Sequence, residues 1–225
     1  MWKHKMKAIT LSYDDGIEQD IRLISMLDRH GLRATFNLNL GLQSQANTFI
    51  KSGLTIRHLN YSDLPSVYAN HEVAGHTYSH AHLEQLDESA IRDEIVRCQD
   101  GLQQLFGREI AGMAYPYGTY DDRVVKIAQE AGVRYSRTCM QTERFEISSD
   151  LMRLPTTCRH ANPRLLELAE AFVALQPERP QLFYLWGHSY EFDETDSWDM
   201  MESFCKIISN HDDIFYGTNA EVLLA

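Results

Sequence analysis

Two adjacent carboxylates, Asp14 and Asp15, stand before Gly16 at the end of an apolar run. Their like charges repel unless a cation or a basic partner offsets them, although the same pair would also suit the N-cap of a following helix. Further on, in His71-Glu-Val-Ala-Gly-His-Thr-Tyr-Ser-His80, His76 and His80 are four residues apart, so one helical turn would bring both imidazoles to one side. Two imidazoles and one carboxylate would give a divalent ion three ligands and leave a fourth zinc position for water, which is a catalytic arrangement and not a closed structural one. Tyr115-Pro-Tyr-Gly118 is a turn fixed by Pro116 and Gly118, and it could aim a backbone N–H at a reacting oxygen. His188, which closes Leu185-Trp-Gly-His188, could donate a proton. Each cluster alone has an ordinary structural explanation; the chemistry that they would share is hydrolysis.

These residues sit where a chain of βα units keeps its working side chains, at the C-terminal ends of strands and in the loops that follow. Strands are expected at 7–13, Ala34–Leu38, 72–74, 112–115, 133–136, 182–186 and Ile214–Tyr216. Between them, helical patterns run from Ile17 to a stop at Gly31, over 87–106 to Gly107, over 121–131 to Gly132, over 162–175 with Pro163 in the first turn, and over 200–209. The stretch 39–70 is less regular, and Thr218 reads as a cap. Alternation of this kind predicts an α/β fold with a mainly parallel sheet of roughly seven βα units.

The 225 residues, 44% of them hydrophobic and 24% charged, suffice for one sizeable core, and no Pro/Gly/Ser-rich linker divides them, so a single domain over 1–225 is expected. A formal charge of −11 makes nucleic acid and anionic membranes poor partners and leaves the oligomeric state open. Cys98, Cys139, Cys158 and Cys205 are dispersed without a C-x-x-C pair and read as free thiols. Residues 1–10 carry lysines but too short an apolar run for a signal or a membrane span, so a cytoplasmic location is the expectation.

Taken together and in this order, the four clusters resemble the polysaccharide deacetylase family of chitin, chitooligosaccharide and peptidoglycan N-acetylglucosamine deacetylases. Ser12-Tyr-Asp-Asp-Gly16 is similar to the family's T-F-D-D-G, and His76-Thr-Tyr-Ser-His80 matches its H-[ST]-x-x-H. The resemblance implies a distorted (β/α)7 barrel, Asp14 as general base, and Asp15, His76 and His80 as ligands of one divalent ion, expected to be zinc. It further implies Tyr117 as the oxyanion-hole N–H and His188, as imidazolium, as general acid. The family's R-x-P-x-G motif lacks its arginine here, because Ala114 occupies that position. Arg137, just past the expected strand at 133–136, is the candidate for the missing guanidinium beside Asp14. His160 and Glu191 are further polar residues near strand ends that could line the substrate cleft, although a structural or solvated role is the first expectation for each.

The activity so implied is removal of acetyl groups from an N-acetylated sugar by metal-activated water, with a small carbohydrate or amide as substrate. The resemblance extends to relatives that hydrolyse ureides or imides, and the Ala114 change leaves open a non-catalytic carbohydrate-binding protein. Presence of both proton-transfer candidates, Asp14 and His188, favours an enzyme.

Overall fold

The computed structural model describes residues 2–225. Strands and helices alternate as β1 (Lys7–Asp14), α1 (Gln19–Arg29), β2 (Ala34–Leu38), the hairpin β3 (Thr48–Lys51) and β4 (Leu54–Arg57), the short α2 (Leu64–Val67), β5 (Glu72–Gly75), α3 (Glu88–Phe106), β6 (Gly112–Ala114), α4 (Asp122–Glu130), β7 (Tyr135–Gln141), β8 (Leu154–Thr156) and β9 (Cys158–Arg159). They continue as α5 (Leu165–Ala174), β10 (Gln181–Gly187), α6 (Glu191–Glu194), α7 (Trp198–Ile208), β11 (Ile214–Tyr216) and α8 (Asn219–Leu223).

One large sheet runs β8-β7-β6-β5-β2-β1-β10-β9, with every pairing parallel. Its two ends, β8 and β9, are joined in the chain by Thr157 alone, so the sheet curls back on itself and the seam of a distorted barrel falls there. One edge of β1 is shared: Lys7–Ile9 pair with β11, and Leu11–Asp14 pair with β2. All eight residues of β1 are buried, as a strand walled on both faces requires.

The helices cover the sheet through apolar faces at helical spacing. Leu23, Ile24 and Leu27 of α1, Ile91, Ile95 and Leu102 of α3, and Met201, Phe204 and Ile208 of α7 are buried; full burial of such a side chain stabilises by about 1.5–3 kcal/mol. Asp87 and Asp121 cap α3 and α4 by accepting from Ala90 N and Val124 N, and Thr218 forms a capping box with Glu221. Among the described residues no helix is long and apolar enough to cross a membrane, and the four cysteines are unpaired.

Four expectations need correction. The 76–80 stretch is not a helical turn: it is a loop in which Thr77 and His80 take φ of 63° and 60°. The strand expected at 133–136 begins at Tyr135 and runs on to Gln141, because Val133 N still bonds the Ala128 carbonyl at the end of α4. Pro163 lies before α5, since the Asn162 side chain accepts from Arg164 N at 2.8 Å and holds a turn there. Finally, the irregular stretch 39–70 contains the β3–β4 hairpin, which stands over the C-terminal ends of the strands with Phe49 edge-on to Tyr190 at 5.6 Å.

Candidate active site

A cavity of about 600 Å³ opens at the C-terminal ends of the strands, with Asp14, Asp15, His76, His80 and His188 among its lining residues. Asp14 is the last residue of β1; the chain then turns through Asp15 and Gly16, both at positive φ (82° and 69°). Gly16 also packs so closely that a Cβ would lie 2.8 Å from the Gln43 side chain, whose Nε2 donates to the Asp15 carbonyl at 2.8 Å. Positive φ recurs at Thr77, His80 and Tyr117, so the backbone is held in costly conformations around this cavity.

Ligand atoms of Asp15, His76 and His80 lie within 4.8 Å of one another. His76 Nδ1 is 2.8 Å from the Ala114 carbonyl. A carbonyl only accepts, so Nδ1 carries the proton and Nε2 turns its lone pair toward Asp15 Oδ1, 3.8 Å away. His80 Nε2 is likewise 3.8 Å from Asp15 Oδ1.

The charges explain what such a set would bind. Burial, reinforced by the neighbouring Asp14 and Asp20, pushes the Asp15 carboxyl up to about 8. Burial also pushes His80 down to about 3, with His76 adding to the effect, and lowers His76 against the pull of Asp14. Two neutral imidazoles beside a carboxylate starved of positive charge are a donor set that fits a divalent cation.

Asp14 is placed differently. Burial would raise its carboxyl, but Arg137, His76 and His188 overcome that and hold it at about 2. Arg137, fully buried on β7, donates from Nη2 to Asp14 Oδ2, and Asn37 Nδ2 donates to Oδ1 at 2.7 Å. The Trp186 ring lies 4.5 Å from the guanidinium. In the sheet Arg137 stands directly opposite Ala114. The guanidinium therefore comes from one strand over and still reaches Asp14.

His188 Nε2 is 3.9 Å from both Asp14 Oδ2 and Asp15 Oδ2, and its Nδ1 is 2.9 Å from Glu191 Oε1. Glu191 is buried and gripped by Arg159 through Nε, at 3.0 Å, and through Nη2. Burial lowers His188 to about 4 against the pull of Asp14, so its resting form is the neutral imidazole. Tyr117 lies at the rim, 55% exposed, its ring stacked on His82 at 3.7 Å. His160 does not line the cavity: it is sandwiched between Tyr13 and Phe192, with Nε2 2.9 Å from Glu191 Oε2 but out of line for a hydrogen bond.

The sequence thus pointed to residues that the fold brings together around one cavity. It did not point to Asn37, Gln43 or Arg159, nor to the contact of Glu191 with His188. Asn37 had a legible signal, as an amide one residue before the C-terminal end of the expected strand Ala34–Leu38; Arg159 had none.

An α/β barrel with a carboxylate and two imidazoles clustered at the C-terminal ends of its strands is the class of protein that fold and site define. The sequence profile for polysaccharide deacetylase matches residues 3–136, more than half of the chain, and the chain belongs to that family. It is 27% identical over 126 residues to the peptidoglycan-N-acetylglucosamine deacetylase of Bacillus cereus, a match that spans 54% of this chain and 40% of that protein. Two solved structures share the fold. The family 4 carbohydrate esterase of Streptomyces lividans, in complex with acetate, superposes with a TM-score of 0.60 at 18% identity over 95% of this chain and 93% of its own. A family 4 pseudoenzyme of Bacillus anthracis superposes with 0.59 at 20% identity over 97% and 66%.

Proposed function

We propose that the protein is a metal-dependent N-deacetylase of a small acetylated amino sugar or glycoconjugate. The observation that carries this reading is the convergence of Asp15, His76 and His80 beside a carboxylate, Asp14, that Arg137 and Asn37 keep ionised. Those three residues would hold one divalent ion, with zinc favoured by the mixed nitrogen and oxygen set, to supply Lewis acidity toward the acyl carbonyl and the attacking water.

The chain's own groups then divide the proton work. Asp14 takes the proton of the attacking water, and its ionisation down to about pH 2 keeps it ready to accept across the physiological range. His188, neutral at rest and 3.9 Å from Asp14 Oδ2, receives a proton at Nε2 and delivers it to the departing amine. The Glu191 carboxylate accepts from Nδ1–H and so fixes the tautomer that leaves Nε2 facing the substrate. The Tyr117 N–H, turned by φ of 58°, is the candidate donor to the developing oxyanion.

A second reading, hydrolysis of a small ureide or imide, fits the same cavity. Phe49 of the hairpin, Tyr117, Trp186 and Tyr190 wall it from several sides, which suits a compact substrate more than the interior of a polymer. A purely carbohydrate-binding role would leave the Arg137–Asp14 and Glu191–His188 pairs without use. Four free thiols support a reducing compartment such as the cytoplasm. Turnover of zinc-loaded protein on a panel of N-acetylated sugars and ureides tests these readings: acetate release from the sugars supports the first, ureide cleavage alone the second, and no turnover on either would overturn both.

A further inference from the structure

Asp20 has no part in the proton transfers, yet it is a fully buried carboxylate in the first turn of α1. Among the described residues no Lys, Arg or His nitrogen lies within 4.0 Å of it. Three donors surround it instead. Ser189 Oγ donates to Oδ1 at 2.5 Å, Tyr68 Oη donates to Oδ2 at 2.6 Å, and Ile17 N donates to Oδ2 at 3.3 Å.

Burying a carboxylate without a cation is costly, and an apolar side chain of similar volume would fill the same space more cheaply. What an apolar residue lacks is two acceptor oxygens that can be shared between separate loops. The donors belong to separate loops: Ile17 is two residues past Asp15, and Ser189 is the residue after His188. Tyr68, at the end of α2, is buried against the same carboxylate and limits its rotation.

We infer that Asp20 is a positioning residue that sets the distance between His188 and the Asp14–Asp15 pair, by tying the loop that follows β1 and the loop that follows β10 to one carboxylate. Glu191 orients the ring of His188; Asp20 holds the backbone that carries it. The placement of His188 Nε2 at 3.9 Å from Asp14 and at 3.9 Å from Asp15 is the geometry that this tie maintains. The inference rests on the reading of His188 as the proton donor, and it has a consequence that is independent of turnover: loosening the tie changes the environment of the His188 ring.

The test uses full-length, zinc-loaded protein with histidine rings labelled in nitrogen-15, comparing wild type, Asp20→Asn, Ser189→Ala and Ser189→Thr. Asparagine keeps the volume but replaces one acceptor with a donor, Ser189→Ala removes one link, and Ser189→Thr restores the hydroxyl. The expected result is a kcat lowered at least about tenfold in Asp20→Asn and Ser189→Ala, with KM changed less than about twofold, and with most of the loss recovered in Ser189→Thr. The double variant Asp20→Asn/Ser189→Ala, added to the set, should be no worse than Asp20→Asn alone, because both act through one contact. The His188 ring signals should shift or broaden in the two impaired variants, while those of His211, whose ring bonds the Ile207 carbonyl, stay in place.

Unchanged kcat and unchanged His188 signals overturn the inference, even if the variants melt earlier, because Asp20 would then serve stability alone. If wild type releases no acetate, the deacetylase reading fails and the ring signals decide this inference by themselves. If Asp20→Asn does not fold, the Ser189→Ala and Ser189→Thr pair decides it by the same two readouts.

Discussion

Arg137 and Asp14 form an ion pair buried at the floor of the cavity, with the guanidinium reaching across from the strand next to Ala114. Breaking such a pair from one side leaves an uncompensated charge, which costs about 3–5 kcal/mol. Arg137→Ala should therefore unfold at lower denaturant and lose turnover while Asp15, His76 and His80 still take up metal. Moving the guanidinium back, in the double variant Ala114→Arg/Arg137→Ala, should recover at least about tenfold of the lost turnover, since the two positions are direct neighbours in the sheet. Denaturant titrations and acetate-release rates on the same samples check both statements.

Glu191→Gln keeps the size of the side chain but can present its N–H to His188 and select the wrong tautomer. Loss of a correctly poised proton donor costs on the order of 10²-fold or more. The expected outcome is a fall of that size in kcat with metal content unchanged, measured by steady-state kinetics and elemental analysis. Wild-type kcat in this variant would remove Glu191 from the account.

Metal uptake should depend on pH through a single group. With Asp15 raised to about 8 and His80 lowered to about 3, ligand binding near pH 7 displaces one proton, from Asp15. Apparent affinity should then rise about tenfold per pH unit up to about pH 8 and level off above it. Calorimetry in buffers of different ionisation enthalpy counts the protons; none released at pH 7 would show that Asp15 was already ionised.

Stability of the metal-free protein follows from the same value with the opposite sense to an ordinary paired carboxylate. Asp15 is raised in the folded state, so the native protein binds more protons than the unfolded one, and stability falls as pH rises toward about 8. The lowered histidines act the other way, but only below their unfolded value of about 6.5. Between about pH 6.5 and 8 only raised carboxyls act, Asp15 throughout and Asp20, which burial pushes up to about 7, in the lower part. The melting temperature of metal-free protein should drop across that window, and that of zinc-loaded protein should not; differential scanning calorimetry separates the two.

Much of this arrangement was legible in the sequence, and the reasons are local. Asp14 ends and Asp15 follows a strand in which Ile9, Leu11 and Tyr13 alternate with polar residues, and Ala34–Leu38 and Ile214–Tyr216 fall where periodicity placed them. What could not be read depends on tertiary contact. The approach of His80 to His76 is produced by left-handed backbone at Thr77 and His80, for which no glycine gave warning. The strands β8 and β9 are three and two residues long, too short for a periodic signal, and they exist because neighbouring strands pair with them. Arg159, between Cys158 and His160, becomes part of the site only because β9 pairs with β10 and brings it to Glu191.

The most direct measurement is the zinc stoichiometry of purified protein, with its dissociation constant, in wild type and in the separate variants Asp15→Asn, His76→Ala and His80→Ala, each shown to be folded. The account predicts one ion per chain in wild type, weakened by each of the three substitutions, with turnover following occupancy. Absence of a bound ion in the wild type, or wild-type affinity in the folded variants, would contradict it.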